Sequence, residues 1–316
     1  MNTGPGVLFV NPHVVNCGIY QFGINLWNIV SSSKRLRFCY CEVTDIEDLE
    51  DVCVARDIKV VIYNWQCETP ETMPVVADTD NTITRIRNIG ICQIHLYHVG
   101  PRDGFDAYLY SDPTLTSNGN YFFIGRPLPE YNSELSKNSI VTIGSGGFGL
   151  PHKGFDRLLG HVISEFDKAL VRLHIPNAHY GDASGAIASM VANQCRTIVE
   201  RSGKNIKLEI NQKFLPLKDY HSWMAANDIN CYFYEGGNGI SSAVDHGLAV
   251  GRPVAVTKRS QMMRHLHGCS PSVCIEDSSL KKIIANGISP LKQVLESCSN
   301  KSIINEVERC VMSLLS

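Results

Sequence analysis

The stretch Tyr234–Lys258, YEGGNGISSAVDHGLAVGRPVAVTK, constrains the fold more than any other part of the chain. It reads as the end of a buried strand, an acidic residue, a glycine-rich turn and a short helix. A tight turn at Gly251-Arg252-Pro253 and a second buried strand complete it. Strand, helix and strand in that order make a right-handed βαβ unit and a parallel sheet. Gly236, Gly237 and Gly239 lack the Cβ atoms that would keep backbone amides away from a ligand. The helix that follows offers unpaired N–H groups and partial positive charge at the same place. Open α/β sheets bind ligands at such turns. An ordinary connection, whose glycines only permit a tight turn, is the alternative.

The same grammar runs through the chain. GVLFVNP (6–12) predicts a first buried strand, and Ile19, Phe22, Leu26 and Ile29 recur at helical spacing after it. Gly18 sits at that junction, either for close backbone approach to a substrate or as a turn glycine. RLRFCYCEV (35–43), IKVVIYNW (58–65) and ICQIHLYHVG (91–100) predict further strands, with an acidic helix at 45–57 between the first two. His98, near the end of the strand at 91–100, could touch a substrate hydroxyl or phosphate or be a hydrogen-bonded structural residue. Residues 69–88 read as a loop and helix, and FDAYLYSDP and NYFFIGRPLP as two short strands.

Polar, aperiodic 127–139 reads as a linker. The second half then restarts with a strand at 139–144, a loop carrying Gly144, Gly146, Gly147 and Gly149, and a helix from about Lys153. Strands and helices alternate to the segment SVCIED, read as a strand, and two closing helices. The expectation is an α/β protein of two Rossmann-like domains with parallel sheets facing a cleft. The domains are 1–130 and 139–316, with the last helix able to pack back on the first.

Composition narrows the classes. Hydrophobic residues make up 44% and charged residues 19%, which describes a soluble globular chain. A net charge of −2 gives no basic face for nucleic acid. The N-terminus lacks the pattern of a signal peptide, and no apolar run reaches membrane-spanning length, so a cytoplasmic protein is expected. The twelve cysteines are scattered mostly singly in apolar runs and read as reduced core residues. Cys39 and Cys41 alternate onto one strand face without a second pair to make a zinc site.

Motif by motif, no Gly-x-Gly-x-x-Gly opens the first domain, no P-loop is present, and neither Gly-x-Ser-x-Gly nor zinc spacing occurs. What stands out is GSGGFGLPHKG (144–154). Flexible glycines, then Pro151 near a helix start, then Lys153, suit a diphosphate held by amides and one cation. A solvated surface lysine is the other reading.

GSGGFGLPHKGFDRLL resembles the glycine loop, Lys-Gly and helix of retaining glycosyltransferases of the GT-B fold, the glycogen-synthase-like and sucrose-synthase-like group. CYFYEGGNGISSAVDHGLAVGRPVAVT is similar to the second signature of that group, and CGIYQFGINL to its first-domain glycine loop. The resemblance implies that Lys153 binds the nucleotide diphosphate and Glu235 the donor sugar. It implies that Gly146, Gly147, Gly237, Asn238 and Gly239 present the donor-binding backbone. Asp245 would bind the ribose, and Gly18 would approach the transferred sugar and acceptor. Three features depart from the pattern, one being a compact first domain, which implies a small acceptor or a shallow groove. Nine residues separate Glu235 from Asp245 where the group has seven between two glutamates, and no arginine precedes Lys153 in the loop. His152, Arg259 or Arg264 is left to supply that charge.

The implied reaction moves a hexose or related sugar from a nucleoside-diphosphate sugar, with retention, to a glycan, lipid-linked or small-molecule acceptor. No cofactor or metal is implied, the one Asp-x-Asp match (Asp78, Asp80) lying in a predicted loop. Lys153 and Glu235 would carry catalysis, with His98 orienting sugar or acceptor. The basic segment Lys258–His265 is a solvated turn or a peripheral contact with membrane or phosphate. The rivals are a GT-B-shaped binding protein that has lost turnover, and an epimerase or phosphorylase-like relative.

Overall fold

Val7, Leu8, Phe9 and Val10 follow one another without a polar interruption, and none is exposed. A strand buried on both faces reads this way, and it belongs in a parallel sheet covered by helices. The computed structural model describes residues 3–12, 18–43, 49–65, 87–92, 105–114, 119–132, 135, 137–178, 181–237 and 240–316. In it, β1 (Gly6–Pro12) lies between β2 (Arg37–Val43) and β3 (Ile58–Trp65). Beyond β3 come β4 (Arg87–Cys92), β5 (Ala107–Tyr110) and β6 (Tyr121–Phe123), giving an all-parallel sheet ordered β2-β1-β3-β4-β5-β6. Two helices are described in this region, α1 (Gly18–Val30) and α2 (Leu49–Ala55). Phe22, Leu26, Ile29 and Val30 of α1 pack into one cluster with Val7, Phe9, Val60 and Ile62.

A second all-parallel sheet is built from β7 (Thr142–Gly146), β8 (Lys168–His174), β9 (Asn205–Asn211), β10 (Ile229–Tyr232) and β11 (Val254–Val256), in the order β11-β10-β7-β8-β9. The crossovers are α3 (Phe155–Glu165), α4 (Ala186–Arg201), α5 (Leu217–Ala225) and α6 (Ser242–Ala249). Phe155, Leu158, Leu159 and Val162 of α3 fall on one helical face and join Ile143, Val171, Leu173 and Cys231 in the core. Three helices close the chain: α7 (Leu280–Asn286), α8 (Lys292–Ser297) and α9 (Asn300–Leu315). The chain forms two compact units, Met1–Pro127 with Glu296–Ser316, and Leu128–Leu295. Ile303, Val307, Cys310 and Val311 of α9 complete the core of the first unit.

The structure corrects several sequence expectations. Gly144 and Gly146 are not loop residues but lie inside β7, all of which is buried. Their missing side chains make room for others: a Cβ on Gly144 would fall 1.9 Å from Asn227 Nδ2, and one on Gly146 2.3 Å from the Tyr220 hydroxyl. Lys153 ends a 3-10 turn, Pro151–Lys153, and α3 begins after it. The segment SVCIED makes only a bridge, Val256 to Cys274, because the chain turns immediately afterwards. Where two closing helices were expected, Gly287 and Pro290 divide the first into α7, a 3-10 turn and α8. β4 begins at Arg87, inside the predicted loop and helix. His98, Asp78 and Asp80 lie outside the described residues. The nine cysteines whose side chains are described form no disulfide. No described helix is long and apolar enough to cross a membrane.

Candidate functional site

Two segments meet at the carboxyl end of the second sheet, the Lys-Gly turn before α3 and the exit of β10. The Glu235 amide donates to the His152 carbonyl at 2.8 Å. Gly154 has φ +68°, and a Cβ there would stand 2.0 Å from the Phe233 carbonyl oxygen. Only a glycine lets the chain turn into α3 that close to the strand. The residue before it is therefore held tightly in place.

That residue is Lys153, only 8% exposed. Its ammonium lies 3.9 Å from the centre of the Tyr234 ring. Among the described residues it makes no hydrogen bond and no ion pair. Burial pushes its pKa down to about 8, because an ammonium stripped of water is costly unless an anion replaces the lost hydration. Tyr234 is itself fixed, its hydroxyl donating to the Gly146 carbonyl at 3.4 Å. A Cβ on Gly147 would come within 2.9 Å of that hydroxyl. Lys153, Gly146, Gly147 and Tyr234 thus form one cluster at the end of β7.

Glu235 is engaged differently. Its carboxylate meets Arg157 of α3 at 2.9 Å and Arg259 at 3.6 Å. Arg157 also donates to the Phe233 carbonyl at 2.7 Å. No ion pair joins Lys153 to Glu235 among the described residues, although their backbones adjoin. The predicted pair is thus brought together as segments, with the acid on the arginines and the base on an aromatic ring.

The glycine turn follows. Gly236 and Gly237 have φ +67° and +79°. Ser260 Oγ donates to the Gly236 carbonyl at 2.6 Å, and the Gly236 amide donates to the Arg259 carbonyl at 3.4 Å. A Cβ on Gly237 would collide with Met262 Sδ at 2.5 Å. The turn is therefore tied to residues 259–262 by its own backbone. Asn238 and Gly239 lie outside the described residues. Beyond them Ser241 caps α6, accepting from the Ala243 amide, and Asp245 is buried in the first helical turn. His246, next in sequence, shares a 2.9 Å hydrogen bond with His221 of α5.

Within the first unit, Gly18 is the first residue of α1. A polar cluster that sequence reasoning passed over, apart from the polar ending of β3 at Asn64, occupies the ends of its central strands. Asn64 donates to Asn11 Oδ1 at 2.6 Å, and Asn11 to the Tyr40 hydroxyl at 3.1 Å. The hydroxyls of Tyr40 and Tyr20 both donate to Glu42, at 2.8 and 2.9 Å. Gly23 makes the room: a Cβ on it would be 2.0 Å from Asn11 Oδ1. Arg157, four residues after Lys153, and Tyr234, beside Glu235, were also missed. Their positions next to predicted site residues were the available signal. Among the described residues no group of three or more His, Cys, Asp or Glu could hold a metal ion.

Two units with parallel sheets, and a lysine–glycine turn at the end of the second unit's first strand, define the GT-B class of fold. Trehalose-6-phosphate synthase OtsA superposes with TM-score 0.62 at 10% identity, covering 99% of each chain. A glycosyltransferase from Rickettsia africae gives 0.61 at 9%, covering 99% of this chain and 97% of its own. HepE from Anabaena, in complex with UDP and glucose, gives 0.60 at 10%, covering 98% and 100%. No protein-family model matches the sequence, and no curated protein matches it by sequence.

Proposed function

We propose that the protein is a glycosyltransferase that takes a sugar from a nucleoside-diphosphate sugar, with retention and without a metal, and passes it to a glycan, lipid-linked or small-molecule acceptor. The observation that carries this reading is the Lys153 ammonium, buried and without an anionic partner among the described residues. A diphosphate is the anion that a cation beside strand-end glycines suits best. The fold adds support, since the Anabaena neighbour was solved with UDP and glucose.

Breaking the bond between sugar and diphosphate leaves charge on the departing oxygen, and catalysis rests on meeting that charge with groups already in place. Lys153 supplies a full charge, and the start of α6 supplies amide dipoles. Asp245 binds the ribose, and the amides of Gly147, Gly237, Asn238 and Gly239 line the phosphates and sugar. Glu235 contacts the donor sugar through whichever carboxylate oxygen its arginines leave free. His98 and Gly18 belong to the acceptor side.

The test is a panel of nucleotide sugars with simple acceptors. Release of nucleoside diphosphate, abolished in Lys153→Met and cut about a hundredfold in Glu235→Gln, is expected. The second reading, a nucleotide- or glycan-binding protein without turnover, draws on the two arginines that hold Glu235. Nucleotide-dependent thermal stabilisation with no release under any acceptor would establish it instead.

A further inference from the structure

Beside α3, within the second unit, lies a cavity of about 400 Å³ whose lining includes the two arginines that hold Glu235. Arg157 and His161 line one wall from successive turns of the helix. Thr257, Arg259 and Glu276 line the other, and Phe233 lies between, its ring meeting His161 edge-on at 5.4 Å. Lys153 is not among the lining residues.

The walls differ in what they lack. Arg157 spends one terminal nitrogen on Glu235 and the other on the Phe233 carbonyl. Its Nε is buried and has no hydrogen-bond partner among the described residues. The guanidinium keeps its full charge at the cavity wall, where Glu235 offsets only part of it. Arg259 is 63% exposed and meets Glu235 only at 3.6 Å, so its guanidinium can turn onto a ligand. His161 adds a third nitrogen. Together these three groups want an oxyanion.

Glu276 faces the opposite need. Its carboxylate accepts from the Thr257 hydroxyl at 2.5 Å and the Lys258 amide at 3.0 Å. Burial, the largest single effect, raises its pKa, but the hydrogen bonds from Thr257, Lys258 and its own backbone, with the nearby Arg259 charge, together hold it below the usual carboxylate range. An ionised carboxylate only accepts, so the ligand portion beside it must donate. A bare phosphate would leave most of 400 Å³ unfilled, and a phosphate on the arginines does not by itself extend to Glu276.

From this pairing we infer that the α3 cavity binds a small phosphate monoester of a polyol. The phosphate lies on Arg157, Arg259 and His161, and a hydroxyl donates to Glu276. The site is separate from the Lys153 cluster and does not depend on the donor reading.

Calorimetric titration of the full chain with glycerol 3-phosphate, inorganic phosphate and glycerol tests it. The expected result is saturable one-to-one binding, about threefold tighter for glycerol 3-phosphate than for phosphate, with glycerol alone silent. Arg259→Gln and His161→Ala should each weaken binding about fivefold or more while leaving the melting temperature unchanged. Lys153→Met should not weaken it, and Glu276→Gln should erase the preference for the ester. Because Arg157→Gln could disturb packing on Phe233, the exposed Arg259 is the primary variant. No saturable binding up to about 10 mM would overturn the inference. So would binding that Lys153→Met abolishes and Arg259→Gln leaves intact.

Discussion

A lysine with its ammonium on a tyrosine ring and no carboxylate beside it is an unusual use of a charged side chain. Desolvation costs Lys153 stability, and the ring returns only part of it. A folded pKa near 8, against 10.5 for a free side chain, means that the unfolded chain holds this proton more tightly. The destabilisation is therefore present in full well below pH 8 and is relieved as pH rises from about 8 towards 10.5. Lys153→Met should then raise stability at pH 7 by about 2 kcal/mol, the burial penalty less the cation–π gain. Urea unfolding at pH 7 and pH 10 checks it, with the difference between variant and wild type shrinking at the higher pH. At this scale the sequence was readable where chemistry is local. Pro151, Lys153 and Gly154 announce a turn holding a cation, and the glycines after Glu235 announce a tight turn. The partners of Glu235 were not readable, because Arg157 precedes it by 78 residues and nothing local to either residue pairs them.

At the scale of elements, the buried runs and helical spacings located the described strands and crossover helices of both sheets, except that β4 starts at Arg87, where a loop and helix were expected. Glycine misled where it served packing. Gly144 and Gly146 look like loop residues, yet they are strand residues whose absent side chains accommodate Asn227 and Tyr220 from far along the chain. SVCIED looked like a strand because its composition is that of one, but a single bridge is all it makes. The last helix shows how an amphipathic pattern fixes a face without fixing its destination. Ile303, Val307, Cys310 and Val311 make the stripe, and the fold shows that it packs against α1, β5 and β6. Ile303→Ala should cost about 3 kcal/mol, as a fully buried aliphatic cut back to a methyl. Hydrogen exchange is the discriminating readout. Amides of β5 and β6 should lose protection while those of β7 and β8 keep theirs.

The whole molecule is two parallel-sheet units of GT-B type, the first of them completed by residues from both ends of the chain. One fold hosts many functions, so function must be carried by the site and not by the architecture. In the second unit the proposed site reduces to one relation, a buried cation at the carboxyl edge of the sheet with no anionic partner among the described residues. Nucleoside-diphosphate binding measured by calorimetry on wild type and Lys153→Met, at pH 7 and pH 9, tests that relation most directly. The account predicts that affinity falls about tenfold on raising the pH, because the free lysine loses its proton near pH 8, and at least as far in the variant. It also predicts that the variant shows almost no further loss between the two pH values. Equal affinity in wild type and Lys153→Met at pH 7 would contradict it.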